Sequence, residues 1–215
     1  MKEKLTREQV LAELENGRDF SGKDLSRLDL QNLDFSEADM SEADLRGAQL
    51  SGSNLNLVNL SKSVLEKANL KNAFLSRANL READLQEADL SNTNLGGTDF
   101  ESANLRGANL KSAYLSGASL INAVLEKADL TGATCSLAKL ERADLSKACL
   151  VEADFCGAKL KNANFSLADM NKCKLYKAKA VGANFKQANL TSANLYLADL
   201  TGAILEGAIL EGVIK

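Results

Sequence analysis

Apolar residues recur along this chain with a period of five. From Phe20 to Leu210 every fifth position holds a bulky apolar side chain, in one unbroken phase. Of these 39 central positions, 29 are Leu, six are Phe and two are Met; Cys135 and Ala180 are the exceptions. Two residues before the centre, 29 of the 38 positions from 23 to 208 are Ala. The residue between is Asp or Asn in 25 of 39 units. The unit is thus Ala-(Asp/Asn)-Leu-x-x, as in Ala43-Asp44-Leu45-Arg46-Gly47. In an α-helix, residues five apart are rotated by ~140° and share no face. In one long strand, an odd period turns every second Leu outward. The pattern therefore requires a turn within every unit. Ala and Leu, two apart, point inward from a short strand, and Asp or Asn between them points outward. The last two residues, rich in Ser, Gly, Lys, Glu and Asn, make a corner. Such a chain coils, pairs its backbone from coil to coil and stacks its Leu residues in ladders.

Over residues 20–210 this pattern resembles the pentapeptide-repeat proteins, a resemblance made specific by 39 units in a single phase. It implies an all-β fold, a right-handed quadrilateral parallel β-helix with four units per coil. The hand agrees with that of parallel crossovers in general. At 20 residues per coil the chain makes nearly ten coils, a rod of roughly 45 Å. The expected organisation is a capping helix within residues 1–17 followed by the β-helix over 18–215. Stability in such a rod comes from neighbouring coils.

Stacked coils leave an unpaired edge at each end. At the N-terminus, Thr6-Arg7-Glu8-Gln9 reads as a capping box, with Leu5 and Val10 as its hydrophobic staple. Val10, Leu11 and Leu14 give one apolar face, and Asn16-Gly17 ends the element. The spacing predicts a short helix over about 7–15 that covers the first coil. Leu28 and Leu33 replace the small Ala there, and Lys23 stands at an inward-type site. The C-terminus shows no such cover. Ile204 and Ile209 take the site of Asp or Asn, and Val213 and Ile214 follow. Relatives that protect against quinolones dimerise through this end, so the resemblance implies an end-to-end homodimer through the C-terminal coil.

Each wall of a four-sided coil collects every fourth unit. One wall, with centres at Leu55, Leu75, Leu115, Cys135, Leu175 and Leu195, has Leu57, Phe74, Tyr114, Leu137, Tyr176, Tyr196 and Leu197 at outward positions. All three tyrosines of the chain are among them. Aromatic and aliphatic residues on a polar surface are the usual anchors of protein interfaces, although singly scattered ones are normal. Charge is segregated along the axis: residues 19–44 sum to −6 and residues 159–186 to +6. Either the chain offers two docking patches or this is a solvated surface of mixed sign. Ala180 interrupts the central ladder, and Phe165 and Phe185, on the next wall in adjoining coils, are placed to restore the volume.

The chain has no Pro, Trp or His, and its net charge is −3. That balance gives no support to direct nucleic-acid binding. Residues 1–9 hold no apolar core of a signal peptide, and no stretch approaches the ~18 apolar residues of a membrane span. Cys135, Cys149, Cys156 and Cys173 match no zinc spacing and no disulfide framework, which points to reduced thiols in a cytoplasm. By phase, Cys135 and Cys173 face inward and Cys149 and Cys156 outward. Catalysis needs convergent groups in a pocket, and a convex rod filled with Leu supplies none. No cofactor, metal or catalytic residue is expected. The leading expectation is a non-catalytic scaffold or regulator that binds another protein. The alternative, implied by the resemblance, is a DNA-mimicking rod that occupies DNA gyrase. It calls for a continuous acidic wall, whereas the outward residues of the four walls sum to −1, −1, −3 and 0.

Overall fold

The computed structural model describes residues 2–215. From Asp19 onward, the residue before each centre pairs in parallel with the residue 20 further on, through to Asn194 with Ile214. One coil is therefore 20 residues, and four columns of short bridges form the walls of a right-handed parallel β-helix. We number the walls by their centres: wall 1 from Phe20 to Leu200, wall 2 from Leu25 to Leu205, wall 3 from Leu30 to Leu210 and wall 4 from Phe35 to Leu195. No insertion shifts the register.

The period of five follows from the backbone donors. In the unit 38–42, the Ala38 N–H closes a turn onto Phe35 O at 3.1 Å. Asp39 N–H donates down the rod to Arg18 O (3.0 Å), and Met40 N–H donates up it to Asn59 O (2.7 Å). Ser41 N–H donates to Asp39 Oδ1 at 2.9 Å. Glu42 N–H reaches Ser61 O at 2.8 Å. All five donors are satisfied, and one of them needs the Asp side chain. The preference for Asp or Asn is thus an Asx turn that caps each corner, a role beyond merely facing water. Asn side chains also link coils: Asn59 Nδ2 donates to Asp39 Oδ1 (3.1 Å), and Asn79 Nδ2 donates to Asn59 Oδ1 (3.0 Å).

Each corner turns through a left-handed residue. At all 39 second-corner positions from 22 to 212, φ lies between 55° and 69°, and only 12 of these residues are Gly. With the i to i+3 hydrogen bond, this is the type II turn pattern. Each non-Gly residue there carries a steric cost of about 1 kcal/mol.

Inside, the central Leu, Phe and Met are fully buried up to Leu190, with Ala in the narrow places. Polar substitutes for Ala bond to the backbone: Ser53 Oγ to Leu30 O (2.9 Å) and Thr98 Oγ1 to Leu75 O (2.7 Å). Beside the fully buried Ala180, the rings of Phe165 and Phe185 stack at 5.1 Å, and Phe155 meets Phe165 edge-on.

The helix α1 spans Arg7–Asn16 and begins with both halves of the capping box, Thr6 N–H to Gln9 Oε1 (2.8 Å) and Gln9 N–H to Thr6 Oγ1 (3.3 Å). Leu5 and Val10 are buried as the staple requires. Leu11, however, is 40% exposed and does not join Val10 and Leu14 on the core. A single helix laid across the end of a rod buries only a narrow stripe, and Leu11 falls outside it. The segment before α1 adds a feature the periodicity did not reveal. Leu5 N–H donates to Asp24 O (3.0 Å) and Asp24 N–H to Glu3 O (2.7 Å), so the first edge of wall 2 is paired. Lys23 forms an ion pair with Glu3. The other end is open: the N–H groups of Leu200, Leu205 and Leu210 have no backbone partner among the described residues.

Candidate interaction surface

The outward apolar residues do not form one continuous wall. Phe74 and Tyr114 stand on the flat of wall 4. Leu57, Leu137, Tyr176, Tyr196 and Leu197 stand on the corner where wall 4 turns into wall 1. Along the axis they span eight coils, three of them nearer the N-terminus and four nearer the C-terminus. The first three, Leu57, Phe74 and Tyr114, are each about half exposed. Tyr114 lies down against the coil below, where a Cβ on Gly96 would come within 3.1 Å of its ring. Gly96 thus provides space for the tyrosine.

The other four make a ridge. Leu137, 69% exposed, leans over Gly157, whose missing Cβ would lie 2.9 Å from Leu137 Cδ2. Tyr176 and Tyr196 stack one coil apart, with centroids at 6.0 Å and planes 12° apart. Lys177 Nζ sits 4.9 Å from the Tyr176 centroid, a cation–π contact. Tyr176 is accordingly half-buried, whereas Tyr196 and Leu197 remain exposed. Leu57, Leu137 and Leu197 have φ of 61°, 60° and 58°. An exposed Leu in a left-handed corner is unfavourable in two ways, since Gly or Asn would fold there more readily. Leu167, exposed at the corner of walls 2 and 3 with φ 62°, shares this property and was not singled out from sequence. Its signal was a Leu at the second corner position.

At the C-terminal coil, Ile204, Ile209 and Ile214 face outward and are about half exposed, while Val213 turns inward and is partly buried. Next to them a hollow of about 340 Å³ opens between Leu195, Leu197, Ala198, Leu200, Leu205, Leu210 and Lys215.

The acidic coils are partly engaged by the cap. Lys4 pairs with Asp24 (3.5 Å), Arg7 with Asp29 (3.7 Å) and Arg18 with Asp34 (3.5 Å), and Arg46 pairs with Asp44. The corner donors hold several carboxyls below the ordinary range: Ser26 acts so on Asp24, and Ser36 on Asp34. The Cys135 and Cys156 thiols are held in their protonated form. Burial pushes the Cys135 thiol up to about 12, and partial burial beside Asp154 raises Cys156 to about 11. Thiolates are the reactive form, so these groups are inert at neutral pH. Among the described residues no helix is long and apolar enough to cross a membrane.

A family model and one solved structure agree with this geometry. A family model described as pentapeptide repeats matches in eight copies between residues 19 and 214. The crystal structure of HetL, a pentapeptide repeat protein involved in heterocyst differentiation regulation from the cyanobacterium Nostoc sp. strain PCC 7120, is similar. It is 36% identical with a TM-score of 0.66, and the match covers 97% of this chain and 96% of HetL. A pentapeptide repeat protein from the Arabidopsis thaliana thylakoid lumen is 35% identical over 48% of this chain and 66% of its own, with a TM-score of 0.38. Full-length QnrB1, a plasmid-mediated fluoroquinolone resistance protein, is 24% identical over 96% of this chain and 88% of its own, with a TM-score of 0.48. No curated protein sequence matches significantly.

Proposed function

The chain belongs to the pentapeptide repeat family, and on that basis we propose that it is a non-catalytic, rigid scaffold or regulator that acts by binding another protein. The observation that carries this reading is the set of leucines at exposed left-handed corners, chiefly Leu137 and Leu197 beside the Tyr176–Tyr196 stack. Neither the core nor the turns require them, whereas interfaces draw on such anchors. The likeness to HetL, a pentapeptide repeat protein involved in heterocyst differentiation regulation, supports a regulatory role. Affinity capture from a lysate of the source cell, with intact protein against Leu137→Ser/Tyr196→Ser, tests the surface. Loss of the retained proteins is expected, and identical capture by both would remove the reading.

The open end adds a self-contact. Three unpaired backbone donors beside Ile204, Ile209 and Ile214, with the apolar hollow, fit a second copy of this chain end to end. Val213 contributes from the inner side of that coil. The DNA-mimic alternative, a rod occupying DNA gyrase, has less support: no wall is continuously acidic, and four of the N-terminal aspartates already have cationic partners. A gyrase supercoiling assay with micromolar protein should show no inhibition and no relief from a quinolone. Either effect would reinstate the alternative.

A further inference from the structure

Directly beside the ridge, wall 1 departs from the repeat with a cation in three successive coils. Lys139, Lys159 and Lys179 occupy the Asp/Asn position and pair backbone to backbone in one column. Each gives up the side-chain acceptor that caps the following corner, so the N–H groups of Glu141, Lys161 and Val181 have no Asx partner. Like charges in register on neighbouring strands repel. The column is therefore costly to the fold on two counts. Lys174 on wall 4, Lys177 on the corner of walls 4 and 1, and Arg142 and Lys161 on the corner of walls 1 and 2 extend it. Over residues 134–202, walls 4 and 1 display these seven cations against Glu141, Asp154 and Asp199, a net of +4 on a chain of net −3. None of the seven forms an ion pair among the described residues, although 12 of the other 19 cations do. Glu141 stands beside the column with one carboxylate oxygen buried and without a hydrogen-bond partner.

An apolar ridge and an unpaired cationic column, parallel and adjacent, complement one chemistry. We propose that they bind an acidic amphipathic helix of a partner protein, lying along the rod. This rests on the interaction-surface reading above and gives its partner a composition. The lysine column repeats every ~4.8 Å, the spacing of paired strands. Residues three and four apart on a helix rise ~4.5 and ~6 Å, and seven residues span ~10.5 Å, against ~9.6 Å from Lys139 to Lys179. A stripe of carboxylates at i, i+3 or i+4 and i+7 therefore meets all three lysines. The apolar stripe beside it meets Leu137, Tyr176, Tyr196 and Leu197. Nucleic acid fits less well. Single strands bind by stacking bases on free aromatic faces, and the Tyr176 ring is already engaged by Tyr196 and Lys177.

The test is fluorescence anisotropy with a labelled helical peptide of about 14 residues, with one Glu stripe beside one Leu/Phe stripe. The comparison probes are its twin with Lys for every Glu, and oligo-dT. The variant Lys139→Asn/Lys159→Asn/Lys179→Asn installs a residue that many units already hold at this position, so the fold is retained, as circular dichroism checks. We expect saturable binding of the acidic peptide alone, weakened about tenfold or more in the triple variant and by added salt. No saturable binding, equal binding by the triple variant, or tighter binding of oligo-dT overturns the inference. Leu137→Ser/Tyr196→Ser separates it from the reading beneath. If these serines abolish peptide binding while the asparagines leave it intact, the lysine column falls and the interaction surface stands. If the asparagines abolish binding and the serines do not, the ridge has no part in it and the composite site falls.

Discussion

If the Asx turn is what makes Asp or Asn recur, removing one from the middle of the rod should have a local and measurable cost. Asn59 is the best place to look. Its Oδ1 accepts from Ser61 N–H (3.2 Å), Ser61 Oγ–H (2.8 Å) and Asn79 Nδ2–H (3.0 Å), and its Nδ2 donates to Asp39 Oδ1 (3.1 Å). Asn59→Ala deletes all four contacts without touching the core. A net hydrogen bond contributes about 1 kcal/mol when buried, and water replaces part of that here because Asn59 is half-exposed. The expected loss is therefore about 1–2 kcal/mol rather than the sum of four full bonds. Guanidinium unfolding followed by circular dichroism measures it, and amide exchange locates it. Ser61 N–H should be protected in the native protein and lose that protection in the variant. Glu66 N–H provides the internal control, since Val64 supplies no acceptor and the amide has no partner among the described residues. A stability change under about 0.3 kcal/mol, with Ser61 exchanging as fast as Glu66 in the native protein, would refute the role assigned to the Asx turn.

The same turns set a pH dependence. Hydrogen bonds from Ser26, Ser36 and Thr201 hold the folded-state pKa of Asp24, Asp34 and Asp199 below the ordinary carboxyl range. A depressed carboxyl pKa stabilises the fold above its unfolded value, and that contribution is lost as pH falls through the folded value. The melting temperature should stay level down to about pH 5 and drop below about pH 4; a level profile to pH 2 would contradict this. At the open end, light scattering at tens of micromolar should give twice the mass of one chain, and Ile204→Lys with Ile209→Lys should return it to a monomer. A monomeric mass for the unaltered protein would sink the end-to-end dimer.

The fold was legible because one spacing repeats without interruption: the period of five excludes a helix and a flat strand, and the 20-residue bridges follow from closing four units into a coil. The capping box was equally visible, since Thr6 and Gln9 are three apart before an apolar run. Other features were not legible, because they depend on which atoms meet between coils. The sequence placed Asp39 outward but could not show its carboxylate on Ser41 N–H. It placed Leu11 with Val10 and Leu14, although the end of the rod is too small to cover all three. It assigned seven outward apolar residues to one wall, where the geometry separates the flat of the wall from its corner. It also bounded the basic segment at 159, which left out Lys139, because a window along the chain does not follow a column that runs across coils.

Departures from the repeat carry information that the repeat itself does not. The position before the centre has a structural task in every unit, so a residue other than Asp or Asn there gives up a turn bond. There are 14 such departures between positions 19 and 209. Three fall among the first 19 units, at Gln49, Val64 and Phe74. Eleven fall among the last 20, from Tyr114 to Ile209, and include the lysine column and the outward isoleucines. If surface composition drifted freely, the departures would divide about evenly between the halves. Their concentration in the half that holds the ridge, the column and the open end is what selection for a second task, laid over the first, would leave behind. Proteins break local structural rules chiefly where a function requires it. Restoring Asn at those positions should therefore firm the turns while weakening whatever the C-terminal half binds, a trade-off that neither scattered surface variation nor a purely structural rod predicts.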